Sequence, residues 1–545
     1  METYDYIIIG AGSAGCVLAR RLSDNSDARV LLIEAGPPAE NFWIRAPAGM
    51  ARLINSKRYN WNFFTEPVPT LRNRKLHFPR GKALGGSSAI NGMVYVRGDR
   101  RDFDHWAQLG NTGWGWDAVL PYFKRSESNS RGANEYHSVD GPLAVSDPVL
   151  MHPSVIDFIE AARRSGLAHL KDLTAGDQEG VGSTQFTIRN GARESSYDAF
   201  LRPVRNRSNL VVKTEAYVRR ILFRDRQAVG VELTQGSETV KVFAAREVIL
   251  SAGALSSPHV LMLSGIGDGE MLQRFGVPIV AHSPGVGQNL QDHFVARIQM
   301  KSTPNSSYNR DLRSWRKYWQ GARYVLQKQG FLALGSSTAA AFIKSSPRVG
   351  YADLEVSFRP MTFTFDASGE VRIDDYDGIS ASVYRVRPAS KGQVVLKSAD
   401  PMQPPGFHPN FLGDPDDVEA MLSGIRQVRR ILQTEPVASR ILAEIVPGDK
   451  AATDEQLIEH MENTGHCAFH PAGTCKMGSD IDAMAVVDAR LRVRGVERLR
   501  VADASIMPVV TSCNTNAPTI MIGEKAADMI RTDAAAARPA EALSA

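Results

Sequence analysis

Long hydrophobic runs are missing from this chain of 545 residues. No apolar stretch approaches the ~20 residues that a helix needs to cross a bilayer. Cysteine is scarce as well. Cys16, Cys467, Cys475 and Cys513 are too few and too unevenly spread for a disulfide framework, so reduced thiols in a reducing compartment are expected. Charge of one sign is not in excess: the formal balance is +5 with the arginines scattered, which leaves no basic stripe for nucleic acid. The first residues, METYDYIIIGAG, lack the basic-then-apolar build of a secretory signal and pass straight into a strand. A cytoplasmic location is expected, with a peripheral contact at the inner face of a membrane left open.

What is present describes a globular protein. Hydrophobic residues at 43% and charged residues at 23% sit in the ordinary range, and the length exceeds what one hydrophobic core serves, so two domains are expected. The strand signal from Tyr4 runs into Gly10-Ala-Gly12-Ser13-Ala14-Gly15. Ser13 to Leu22 has helical spacing, and Ala28 to Gly36 is a second apolar strand. This strand–helix–strand unit opens a parallel α/β sheet. Glu34 lies 19 residues past Gly15, at the tip of the second strand. Glycines let backbone approach a pyrophosphate at the helix N-terminus, and the acid accepts ribose hydroxyls, so the pattern points to a dinucleotide. Glu34 argues against a 2′-phosphate and hence against NADP. FAD and NAD remain open on these residues, with the length of chain that follows leaning to FAD.

Further along, 60–127 reads as long loops over the sheet, and 208–254 as alternating strands. Asn309 to Gln329 has helical spacing with Trp315, Trp319 and Tyr324. DLEVSFRPMTF and GISASVYRVRP alternate like sheet strands, and Asp414 to Thr434 reads as a helix capped by Asp414. The low-complexity end, TDAAAARPAEALSA, is expected to be disordered.

The stretch NTGHCAFHPAGTCKMG holds His466, Cys467, His470 and Cys475 within sixteen residues. A metal site and a catalytic histidine with incidental neighbours are both readings of it. Structural zinc favours close cysteine pairs, which these are not, so no metal is expected.

Several long segments together resemble the glucose–methanol–choline (GMC) oxidoreductases. They are PRGKALGGSSAINGMVYVRG from Pro79, GALSSPHVLMLSGIG from Gly253, PGVGQNLQDH from Pro284, the FHPAGTCKMG stretch, VADASIMP from Val501 and NTNAPTIMIGEKAADMI from Asn514. The closest flavour is the choline dehydrogenase-like branch. The resemblance implies a mixed α/β (α+β) fold: a Rossmann-like, discontinuous FAD-binding domain over 1–150, 195–300 and 463–535, and a substrate domain on an antiparallel sheet over 151–194 and 301–462. Residues 536–545 would be a disordered tail. It implies that FAD is held by the opening glycines with Ser13, Ala14, Glu34 and Ala35, and by Arg80, Gly81, Gly86, Ser87, Asn91, Gly92, Met93 and Val94. Val218, Ala252, Gly253, Asp503, Ala504, Asn516 and Thr519 complete that set. Where some family members attach FAD through a histidine this chain has Ile90, so non-covalent FAD is expected.

The same resemblance makes His470 the catalytic base and Asn516 the amide that holds the substrate oxygen. An unperturbed histidine titrates near ~6.5, which suits a general base, and an amide donates without titrating. The implied reaction is oxidation of a primary alcohol, with electrons passed to a quinone or another carrier. An oxidase that releases hydrogen peroxide and a choline dehydrogenase are the alternatives. On the substrate side, Glu355, Ser357 and Arg359 share one face of a strand, where exposed charge is the default expectation. Trp315, Trp319, Phe331 and Phe342 are expected in the core or as apolar walls.

Overall fold

A computed structural model describes residues 2–25, 27–365 and 371–541. The opening unit forms as its pattern predicts. Strand β1 (Thr3–Ile9) is buried along its isoleucines, helix α1 (Ser13–Leu22) follows the glycine turn, and β2 (Val30–Ile33) is buried throughout. A strand apolar on both faces must be covered on both sides, and such strands pair in parallel. Accordingly β1 lies parallel between β2 and the long strand β3 (Glu238–Leu250), with Leu210–Lys213 outside β2 and Leu499–Val501 beside β3. The N-terminal half of β3 turns away to pair antiparallel with Gln227–Gln235, which pairs with Ala216–Arg224.

The second large sheet is antiparallel throughout. Its centre is β4 (Phe294–Ser302), β5 (Leu354–Arg359) and β6 (Gly378–Arg385), flanked by Ile441–Val446 on one side and by Ala339–Ile343 and Gly180–Ser183 on the other. β4 belongs whole to this sheet, so the expected domain boundary at 300 falls inside a strand. The mixed α/β architecture with a second antiparallel sheet is thus present.

Three local expectations need correction. The 60–127 stretch contains two helices, Arg100–Gln108 with an Asp99/Asp102 capping box and Trp116–Ser126, where loops were expected. Trp106, Trp114 and Phe103 are fully buried and anchor them in the core. The tail does not begin at Thr532, because a helix over Asn516–Glu541 runs through it. Alanine is the best helix former, and Asp533 ties the segment down through Arg490 and Arg500. Residues 542–545 of the expected tail lie outside the described residues. Helix α2 (Arg316–Gln327) forms, but Trp315 is 73% and Trp319 60% exposed, so neither is core nor wall. Phe331 lines the cavity described below, and Phe342 is buried. Asp414 caps its helix as expected, accepting from the Asp416 amide.

Candidate active site

A cavity of ≈ 2450 Å³ runs from the glycine turn to the second sheet. Its first half is a backbone cradle. Gly10 sits at φ +95, where a Cβ would meet Ser251 O at 2.5 Å, and a Cβ on Gly86 (φ +52) would meet Gly12 Cα at 2.7 Å. Only glycine fits such approaches. Helix α1 has Gly12 as its cap, no side-chain cap bond and no acid in its first turn, so its leading amides are open to an anion. Gly12, Ser13, Ala14, Glu34 and Ala35 line this end. Gly15 does not: a Cβ there would meet Gly10 O at 1.9 Å, so this glycine serves the packing of helix on strand.

Glu34 is buried, and its carboxylate accepts from the Ala11 and Gly36 amides at 3.0 and 2.8 Å. Burial pushes it up to about 7 despite those bonds. The remaining expected residues, Arg80, Gly81, Gly86, Ser87, Asn91, Gly92, Met93, Val94, Val218, Ala252, Gly253, Asp503, Ala504, Asn516 and Thr519, all line the cavity. Asp503 braces the Gly253 turn by accepting from its amide and from Ser257 Oγ. Arg193 had no sequence signal. It is fully buried and donates to the Ser88 carbonyl and to both oxygens of Asn91, which fixes the signature loop from behind. These features, a glycine cradle at a helix N-terminus with a buried acid beyond it, fit FAD.

At the far end His470 stands in a chain of hydrogen bonds whose direction one carbonyl decides. Val386 O can only accept, so His293 Nε2 carries the proton between them at 2.9 Å. His293 Nδ1 is then a bare acceptor, and His470 Nδ1 must donate to it at 2.9 Å. This leaves His470 Nε2 with its lone pair, accepting from Asn514 Nδ2 at 2.8 Å. Asp292 holds the backbone by accepting from the His470 amide at 2.7 Å. Burial, then the neighbouring His293 and Arg80, push His470 well below the ordinary histidine value, and burial takes His293 down to about 4. Both rings are neutral at pH 7. His470 Nε2 thus keeps its lone pair, and His470 lines the cavity.

Asn516 is not its partner. Asn516 Oδ1 accepts from Ser13 Oγ at 2.7 Å at the start of its helix, while Asn514 reaches His470. Of two asparagines two apart in N-T-N-A-P, the second is drawn into the helix and turned towards α1; no sequence pattern told them apart. His293, the last residue of PGVGQNLQDH, had that motif as its only signal.

The remaining side chains of the His-Cys stretch go separate ways. His466 meets Arg297, and Cys467 Sγ donates to the His77 carbonyl. Cys475 is buried.

The substrate wall comes from the antiparallel sheet. Glu355, Ser357 and Arg359 of β5 line the cavity together with Arg297 and Gln299 of β4 and Ser382 and Tyr384 of β6. The expectation of solvent-exposed charge at Glu355 fails: it is 3% exposed, because the sheet face it occupies closes over the cavity. Burial raises Glu355 to about 7, with Tyr384 and Arg359 opposing, and its Oε2 has no hydrogen-bond partner among the described residues. Tyr384 stacks on His293 at 4.9 Å between ring centres, joining this wall to the histidine pair.

Residues 4–295 and 388–523 match the N- and C-terminal family models of GMC oxidoreductases. This chain belongs to the GMC oxidoreductase family. It is 41% identical over 531 residues to an alcohol dehydrogenase [acceptor] of Pseudomonas putida, covering 97% of this chain and 95% of that one. It is 42% identical over 535 residues to an oxygen-dependent choline dehydrogenase of Rhizobium etli, covering 96% and 95%. Among solved structures, pyridoxine 4-oxidase from Mesorbium loti superposes with a TM-score of 0.87 at 30% identity, over 96% of this chain and 98% of the other. The GMC oxidoreductase described here is therefore an FAD-dependent enzyme acting on CH–OH donors.

Proposed function

We propose that the protein oxidises a primary alcohol, aliphatic or aromatic, to the aldehyde, with His470 as base and Asn514 as the amide that holds the oxygen. The observation that carries this reading is the neutral, singly oriented His470 with Nε2 turned to Asn514. FAD, bound non-covalently, would supply the hydride acceptor. The glycines of the turn, Glu34, Asn91 and Asp503 would hold it, Glu34 as an acceptor for its hydroxyls.

The substrate hydroxyl enters between Asn514 and His470. His470 Nε2 takes its proton, Asn514 Nδ2 donates to the oxygen left behind, and His293 accepts more strongly from the His470 Nδ1–H as the ring gains charge. Removing the proton raises electron density on oxygen and loosens the α-hydrogen as hydride. Holding the three groups together supplies the proximity advantage.

An uncharged alcohol is favoured over choline by the charge of the wall. Two guanidiniums, Arg297 and Arg359, face the cavity against one carboxyl, Glu355, held partly protonated near neutrality. A quaternary ammonium would meet a positive field there. Electrons leave to a quinone or another carrier.

The test is anaerobic: the flavin band of purified enzyme is followed while benzylic, short aliphatic, polyol and choline substrates are added. Bleaching by primary alcohols, with a His470→Ala loss of at least ~100-fold in rate, is expected. Bleaching by no alcohol, or an unaffected His470→Ala variant, sinks the proposal. Recolouring in air with release of hydrogen peroxide would make oxygen the acceptor.

A further inference from the structure

Helix α2 is built inside out. An amphipathic helix on a globular protein turns its apolar stripe to the core. Here Trp315, Tyr318, Trp319, Val325 and Leu326, spaced at three, four and seven residues, form one stripe, and they are 73%, 72%, 60%, 59% and 81% exposed. Tyr324, half a turn round the helix from Trp315, is the residue that packs inward, with its hydroxyl on the Arg45 carbonyl. Exposed apolar patches of this size mark a surface that meets something.

Charge says what it meets. The twenty residues from Asn309 to Lys328 carry six basic side chains and one acid, Asp311, which pairs with Arg316. Two copies of this face brought together would set like charge against like. An anionic surface with an apolar layer beneath matches both properties. Aromatic rings settle at the level of lipid head groups, and a basic amphipathic helix lies flat there with its apolar side a few ångströms into the acyl boundary. Among the described residues no helix is long and apolar enough to cross a membrane, so the contact is peripheral.

We propose that α2 docks the enzyme on an anionic lipid bilayer through Trp315, Trp319, Val325 and Leu326. The position of the helix gives the docking a consequence. Leu312, Lys317, Tyr318 and Gln320 of the same segment line the cavity, so the docked helix holds one wall of the active-site cavity against the membrane. Alcohols or acceptors dissolved in the lipid then reach the cavity without crossing water. This docking does not depend on which alcohol is oxidised.

The test is flotation of the purified holoenzyme with vesicles of phosphatidylcholine alone or mixed with phosphatidylglycerol. Binding to the mixed vesicles is expected to exceed binding to the neutral ones by at least about tenfold and to fall in high salt. Tryptophan emission should shift to the blue on binding. A triple variant, Trp315→Ser, Trp319→Ser and Leu326→Ser, should keep its flavin spectrum and its rate with a soluble dye while losing at least about tenfold in flotation. A double variant, Trp315→Phe and Trp319→Phe, should keep flotation and lose much of the emission shift. Absence of flotation by the wild type, or undiminished flotation by the serine variant, overturns the proposal. So does a concentration-dependent dimer that the serine variant abolishes, which would assign the stripe to a second copy.

Discussion

Replacing His293 by leucine isolates the part of the site that sets which nitrogen of His470 is basic. In the native chain His470 Nδ1–H donates to His293 Nδ1, and this bond keeps the proton off Nε2. Leucine removes the acceptor but leaves His470, Asn514 and the cradle in place. A bond of this kind is worth about 1 to 1.5 kcal/mol net. Its loss lets the reactive tautomer fall by about tenfold, since 1.36 kcal/mol corresponds to one decade. The rate of anaerobic flavin bleaching at saturating alcohol should fall by about that factor, with KM little changed. Asparagine at the same position sets Oδ1 near the site of Nδ1 and restores an acceptor, so His293→Asn should stay within about threefold of the native rate. Both variants lose the His293 ring that helps to depress His470, so the acid limb of both profiles should move up in pH. A leucine variant as fast as the asparagine one would refute tautomer control.

Four further outcomes are expected. Asn514→Ala should lower the bleaching rate by about 10- to 100-fold, as the loss of one oriented donor does. Asn516→Ala should leave that rate near native and cost about 1 kcal/mol of stability through its Ser13 bond; rates that reverse this order would return the role to Asn516. Glu355 binds its proton up to about 7 in the fold against an ordinary value of 4.5, so between those values the folded state holds a proton that the unfolded chain has released. Stability from this group is therefore lost as pH rises through that window, and Glu355→Gln should flatten the dependence of Tm on pH there; an unchanged slope would refute its burial as an acid. Gly86→Ala should give protein purified with little flavin, because the new methyl meets Gly12 Cα at 2.7 Å and the backbone sits at φ +52; a fully yellow variant would show that the cradle tolerates a side chain.

What the sequence by itself determined is local in origin. The run of isoleucines in β1, the glycine turn and Glu34 follow one another within 34 residues, so hydrophobic periodicity and backbone freedom place them without help from the rest of the chain. Asp414 as a cap is legible for the same reason: its bond is to the Asp416 amide, two residues on. The long signature segments carry the cofactor side because loops that must approach a ligand closely admit few residue types, and such constraints are written in order along the chain.

Only the tertiary structure decided the rest. The direction of His470 depends on the carbonyl of Val386, 84 residues away in sequence and reached through His293. Asn514 and Asn516 differ by which one the helix start turns towards α1, a matter of two residues of backbone rotation. Glu355 looks like a surface charge until β5 pairs with β6 and with Ala339–Ile343 and the sheet face they share becomes a cavity wall. The tryptophans of α2 have a periodicity that fits burial and exposure equally, because a 3.6-residue repeat says that a helix has two faces and is silent on which one meets the protein. Packing against Tyr324 made that choice, and it left the apolar side outward.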